Sequence, residues 1–226
     1  MTVPGVMVSD YQFASPGKGS IVAKMKLLYA PSSPYVRKAM VLALETGLDR
    51  RIETVPVTTT PIAPAAEVTA RNPVSKIPAL IDGTLTLYDS PVICEYLDSK
   101  HRKKKLFPAK GKARWVALRQ QALGDGLLDA ALLARYESFL RPADKRWPEW
   151  SEGQMAKING ALDAMEKEAG SLKGALTIGH VTIACALGYL DFRFSDLGWR
   201  DKRKKLAAWY TKFAKRPSMK ATMPPG

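Results

Sequence analysis

A chain of 226 residues, 46% hydrophobic and 25% charged, has the make-up of an ordinary globular protein with ample core material. No apolar run reaches the roughly 18–20 residues that span a bilayer, which argues against a membrane-embedded protein and leaves no membrane partner expected. The net charge of +14 would attract nucleic acid, yet no nucleic-acid motif or aromatic–basic interleaving accompanies it. Runs such as Arg102–Lys105 and Lys202–Lys205 therefore read as solvated faces, with a nucleic-acid-binding adaptor as the minor reading.

Residues 1–24 lack the basic start and apolar core of a secretory signal and read as a flexible tail. Cys94 and Cys185 suit neither a disulfide framework nor a metal site, with only two histidines in the chain. Both read as buried inert thiols in a reducing, cytoplasmic setting.

From Lys26 the chain alternates strand and helix signals. Lys26–Tyr29 is a short apolar run ending at Ala30-Pro31. Ser33 then offers an N-cap with Pro34 at the first helical position. Val36, Ala39, Met40, Ala43 and Leu44 recur at helical spacing, and Gly47 stops the helix. Arg51–Val57 reads as a second strand, and Pro61–Ala70 is ambiguous, with room for one short helix.

Lys76–Ile81 reads as a strand with proline near its start. Asp82-Gly83 is a hairpin turn leading into Leu85–Tyr88. Ser90-Pro91 repeats the cap-plus-proline signature before a helix holding Val92, Ile93, Tyr96 and Leu97. These signals predict a mixed four-stranded sheet with helices over residues 25–105.

Beyond the charged hinge the strand signals stop. Helical patterns cover Ala113–Phe139, Ser151–Glu168, Thr177–Leu190 and Lys202–Lys215, with breaks at Pro142, Pro148, Gly170 and Gly198. Residues 106–226 thus read as a second, all-α domain. Thr177 is a cap with His180 where a capping box carries an acid, and Leu176 and Val181 form a staple. His180 reads as structural.

Three local features carry chemistry. Ser33-Pro34-Tyr35-Val36 occupies the strand-to-helix turn where thioredoxin and glutaredoxin folds place Cys-x-x-Cys, and neither cysteine is present. A hydroxyl there, beside free N–H groups and the helix dipole, stabilises a bound thiolate; taken alone, Ser33 reads first as a plain cap. Ile77-Pro78 is either a trans loop proline or a cis bond exposing the Ile77 backbone to an extended peptide. Asp89 and Ser90 either make an ordinary cap or hold the ammonium and carboxylate of an α-amino acid.

The combination resembles the glutathione transferase superfamily, bacterial and serine-type. The resemblance rests on the Ser33 turn, Asn72-Pro73, Lys76-Ile77-Pro78-Ala79-Leu80, Asp89-Ser90 and Tyr96-Leu97. Leu176–Phe194, Ala208-Trp209-Tyr210 and Arg216-Pro217-Ser218 look like the helical domain of bacterial members. It implies a thioredoxin-like α/β N-terminal domain followed by an all-α helical bundle, working as a homodimer on glutathione and a small hydrophobic electrophile. Glutathione enters as a co-substrate, with no cofactor and no metal.

The resemblance implies Ser33 on the glutathione sulfur, Ser32 remaining an alternative. It implies the Ile77 backbone on the cysteinyl part, Pro78 as a cis proline, and Asp89 with Ser90 on the γ-glutamyl end. Lys76 faces either the glycyl carboxylate or solvent. Leu123, Leu127 and Tyr136 are candidate liners of the electrophile pocket. The alternative reading is a glutathione-binding protein of the same fold with little or no catalysis.

Overall fold

A computed structural model describes residues 24–225, so the expected N-terminal tail lies outside the described residues but for Lys24. The first strand, β1 (Met25–Tyr29), is followed by helix α1 (Pro34–Thr46), β2 (Ile52–Pro56) and a short α2 (Ala66–Thr69). Then come β3 (Ala79–Asp82), β4 (Leu85–Leu87) and α3 (Ser90–Ser99). The four strands form one sheet in the order β2-β1-β3-β4, with β1 parallel to β2 and antiparallel to β3. This is the expected βαβ half joined to a ββα half.

Local chemistry sets the ends of these elements. Ser33 caps α1 by accepting the Val36 N–H at 3.3 Å, and Pro34 begins the helix. Gly47 ends it at φ 78°, a left-handed backbone where a side chain is strained. The β3–β4 hairpin pairs Asp82 with Leu85 across the Gly83 turn. Strand β3 starts at Ala79, later than the expected Lys76, because Pro78 has no N–H to give the ladder.

Alternate residues of β1 face opposite sides of the sheet. Leu27 joins a large core shared with α1, α3 and the helical domain, whereas Leu28 packs with Val57, Val68 and Ala79 on the other side.

The helical part comprises α4 (Gly111–Phe139), α5 (Pro148–Glu168), α6 (Ile178–Arg193), α7 (Lys204–Phe213) and α8 (Pro217–Ala221). Pro148, expected as a break, instead opens α5 at a position where the missing N–H costs nothing. Every residue from Ile178 to Leu190 is buried, which makes α6 the central helix of the bundle. Its start is a closed capping box, with the His180 Nδ1 accepting the Thr177 N–H at 3.0 Å. Helix α7 is shorter than expected at both ends, and α8 was not separately legible.

The two parts share one core and several specific ties. Asp98, buried at the end of α3, accepts the N–H groups of Leu106 and Phe107 at 2.9 and 3.2 Å. The Leu106 carbonyl in turn accepts the Ile178 N–H at 3.0 Å. Helix α1 lies on α6 so closely that a Cβ at Gly188 would meet Arg37 Nη1 at 2.4 Å.

Candidate functional site

The sheet register gathers the predicted residues on one edge. Leu28, near the end of β1, pairs with Ala79 at the start of β3, and Leu80 pairs with Leu87 at the end of β4. The loop after β1 carries Ser33, the stretch before β3 carries Lys76, Ile77 and Pro78, and the turn after β4 carries Asp89 and Ser90. All six therefore sit at the same end of the sheet.

The Ile77–Pro78 bond is cis. Among the described hydrogen bonds, none uses the Ile77 N–H or carbonyl, so this backbone is open to an added strand. Asn72, itself buried, fixes the approach to it by donating from Nδ2 to the Lys76 carbonyl at 2.8 Å. The Lys76 side chain is exposed.

The start of α3 departs from the expected cap by one residue. Asp89, not Ser90, is the N-cap, and its carboxylate accepts the Ser90 N–H. A carboxylate outcompetes a hydroxyl for the positive end of the helix. Ser90 moves to the first helical position, where it is 0% exposed and its Oγ has no hydrogen-bond partner. A buried orphan hydroxyl costs free energy unless something polar reaches it, which is what a ligand carboxylate at this helix start would do.

Beside this corner lies a set of charges that sequence spacing did not reveal. Tyr35 donates to Asp129 at 2.5 Å, and Lys38 pairs with Asp125 at 2.6 Å. Burial pushes the Asp125 carboxyl above its ordinary range; Lys38 opposes the shift, and the fields of Asp89 and Asp129 add to it. Burial and the Asp129 contact likewise raise the Tyr35 phenol, with Asp125 and Asp89 contributing. Three carboxylates thus act on one locus, with the buried Lys38 ammonium offsetting one of them, and the net negative field would favour an incoming ammonium. Residues far apart in sequence make this feature, so only the folded chain exposes it.

On the other side of Ser33, a narrow space is lined by Ser32, Ser33, Arg37, Cys185, Tyr189 and Pro224. It holds no water-sized void. Arg37 holds the C-terminal segment there, donating from Nη2 to the Met219 carbonyl at 3.0 Å and from Nε to Thr222 Oγ1 at 3.4 Å. Burial raises the Tyr189 phenol to about 12 and the Cys185 thiol to about 11, so both stay protonated at neutral pH. Cys94, also buried, is pushed up to about 12, as expected of an inert thiol. Of the expected electrophile liners, Leu127 is 1% exposed inside the main core and Leu123 packs against that core. Tyr136 is half-buried and raises the Tyr189 phenol by its proximity.

Comparison with known proteins decides the family. A model of the glutathione S-transferase N-terminal domain matches residues 32–100, and one of the C-terminal domain matches residues 148–212. An uncharacterized GST-like protein of Escherichia coli, YibF, is 32% identical over 89% of this chain and 99% of its own. The chain belongs to the glutathione transferase family. A family member from Pseudomonas fluorescens, solved with bound glutathione, is 47% identical with a TM-score of 0.88, covering 90% of this chain and 100% of its own. A glutathione S-transferase from Methylobacillus flagellatus, also with glutathione bound, is 34% identical with a TM-score of 0.80, covering 89% and 100%. The mixed sheet is thus the thioredoxin-like domain of this family, and the bundle is its helical domain.

Proposed function

We propose that this transferase-family chain binds glutathione at the Ser33–Ile77–Ser90 edge and joins its sulfur to a small hydrophobic electrophile. The observation that carries the reading is the pairing at the start of α3: a buried, unpartnered Ser90 hydroxyl beside the exposed Asp89 carboxylate. One acceptor-seeking hydroxyl and one ammonium-seeking carboxylate match the α-amino acid end of a γ-glutamyl group. The free Ile77 backbone suits the extended peptide that follows, and Lys76 is free to meet its terminal carboxylate.

Ser33 sits where the sulfur of that peptide would lie. Its oxygen already accepts the Val36 N–H, which leaves the hydroxyl proton to donate to the sulfur. That donation and the positive helix end favour thiolate over thiol, each unit of pKa being ~1.4 kcal/mol. The thiol proton passes to solvent, the sulfur lone pair forms the new bond to carbon, and a leaving group departs with its electron pair. Positioning and electrostatics supply the acceleration. Tyr189 and Ser32 line the space beside Ser33 where the electrophile would dock.

The chain works, in this reading, as a homodimer, the sheet domain of one copy on the bundle of the other. Leu85, Tyr88 and Val92 on the first and Trp115 on the second are exposed large hydrophobics available for it. The two buried free thiols suit a reducing compartment such as the cytoplasm. A second reading, glutathione binding with little turnover, draws on the filled space beside Ser33, which leaves an electrophile no room until Pro224 moves.

Turnover of a panel of electrophiles with glutathione separates the two. Activity that falls about a hundred-fold in Ser33→Ala but not in Ser32→Ala supports the transferase with Ser33 on the sulfur. Glutathione binding without detectable turnover leaves the binding protein.

A further inference from the structure

The helical domain carries a second groove, far in sequence from the Ser33–Ser90 edge. It lies between α7 and the start of α6 with the loop before it, and has a volume of about 220 Å³. Leu176, Trp209 and Phe213 line it together with His180, Lys212 and Arg216. The Trp209 ring stands 5.0 Å from Phe213 and 6.2 Å from His180, centroid to centroid, so one wall is almost wholly aromatic.

The polar groups of the groove are biased toward donors. Arg216 gives Nε and Nη2 to Glu45 at 2.8 and 2.6 Å, which neutralises its charge and leaves Nη1 unused among the described hydrogen bonds. Lys212 is exposed and makes no ion pair among the described residues, so its charge is the uncompensated one. At the base, the His180 Nδ1 accepts the Thr177 N–H at 3.0 Å, which places the neutral ring's proton on Nε2. Burial lowers the His180 pKa and keeps the ring neutral. That Nε2 is buried without a hydrogen-bond partner, and the Leu172 carbonyl facing the ring is taken by Trp209 Nε1 at 2.8 Å. The carbonyl serves Trp209, and the His180 Nε2–H is left as a spare donor at the base of the groove.

We propose that this groove is a binding site for a small planar aromatic carboxylate, separate from the glutathione edge. The ring would lie along Trp209 and Phe213, where stacking and apolar burial act together. The carboxylate would meet the Lys212 ammonium and the free Arg216 Nη1, a charge-assisted pairing at the mouth of a partly desolvated groove. The volume admits a one- or two-ring ligand and is below the ~300 Å³ at which drug-sized sites begin.

Calorimetric titration of the full chain with 1-naphthoate, in saturating glutathione, tests the proposal. One molecule should bind per chain with a dissociation constant below about 1 mM. The neutral amide of the same ring system should bind about ten-fold more weakly, and Lys212→Glu should weaken the naphthoate by a similar factor while leaving the amide unchanged. Lys212 is exposed, so this variant leaves the fold intact. Ser33→Ala should change nothing. Absence of binding, equal binding of acid and amide, an unaffected Lys212→Glu, or displacement of the naphthoate by glutathione would each overturn the assignment.

Discussion

Lys38 and Asp125 meet at 2.6 Å across the junction of the two domains, with the lysine side chain 0% exposed and the aspartate 17%. Helix α1 supplies one charge and α4 the other. A buried pair of this kind contributes little beyond a good apolar contact, but breaking it leaves one charge stranded without solvent. Asp125→Ala should therefore destabilise the chain by ~3–5 kcal/mol in urea denaturation. The double change Lys38→Met with Asp125→Leu, which removes both charges and keeps the volume, should recover most of that loss. Single variants that each cost under ~1 kcal/mol would show that water reaches the pair.

Ser90 separates binding from folding. Its hydroxyl is buried with no partner, so deleting it relieves an unsatisfied group and should leave thermal stability unchanged or slightly raised. Glutathione affinity in Ser90→Ala should nevertheless fall about ten-fold or more, because the ligand carboxylate loses its donor. Calorimetry and a melting curve on one sample decide it. A variant that is less stable yet binds normally would make Ser90 a packing residue.

Where one short stretch held both signal and consequence, the sequence was enough. Ser33-Pro34, Gly47, Asp82-Gly83 and Thr177 with His180 each set an element end that the structure reproduces. The cap of α3 slipped by one residue because two good capping residues adjoin, and the carboxylate of Asp89 wins. Lys38–Asp125, Tyr35–Asp129 and the donor-rich groove at Trp209 join residues that no periodicity links. Burial decides what those residues do, and burial of a lysine is not written in its neighbours. The same holds for Leu127, a pocket candidate by position that the core absorbs.

Acid should loosen the contact between α1 and α8. Glu45 accepts from Arg216 at 2.6 and 2.8 Å and from the Ser218 hydroxyl at 2.5 Å. The Arg216 contact, then the Ser218 bond, hold its carboxyl below the ordinary 4.5, with partial burial opposing. A folded value below the unfolded one contributes stability that is complete above 4.5 and lost as pH falls from there through the folded value. The Glu45 side chain is 14% exposed and its Arg216 partner 39%, so solvent screening limits the effect to ~0.5–1 kcal/mol. Glu45→Gln should flatten this acid limb of the stability profile below pH 4.5. An unchanged slope would place the acid sensitivity in other carboxylates.

If the chain acts as proposed, the C-terminal segment should set how large an electrophile fits beside Ser33. Arg37 fixes Met219 and Thr222, and Pro224 fills the space between the Ser33 loop and Tyr189. Ending the chain after Thr222 removes the filling residue while keeping both Arg37 contacts, so the fold should melt at its usual temperature. The proposed anchors of glutathione at Ile77, Asp89 and Ser90 do not line the space that Pro224 occupies, so the KM for glutathione should change little. For a bulky electrophile kcat/KM should rise about ten-fold, the scale on which an apolar pocket discriminates by size. A small electrophile should gain little, since it needs less of the space that Pro224 occupies. Equal gains for both would mean that the truncation frees a motion rather than a volume. An unchanged ratio with both rates intact would place the electrophile elsewhere, on a face that Pro224 does not touch.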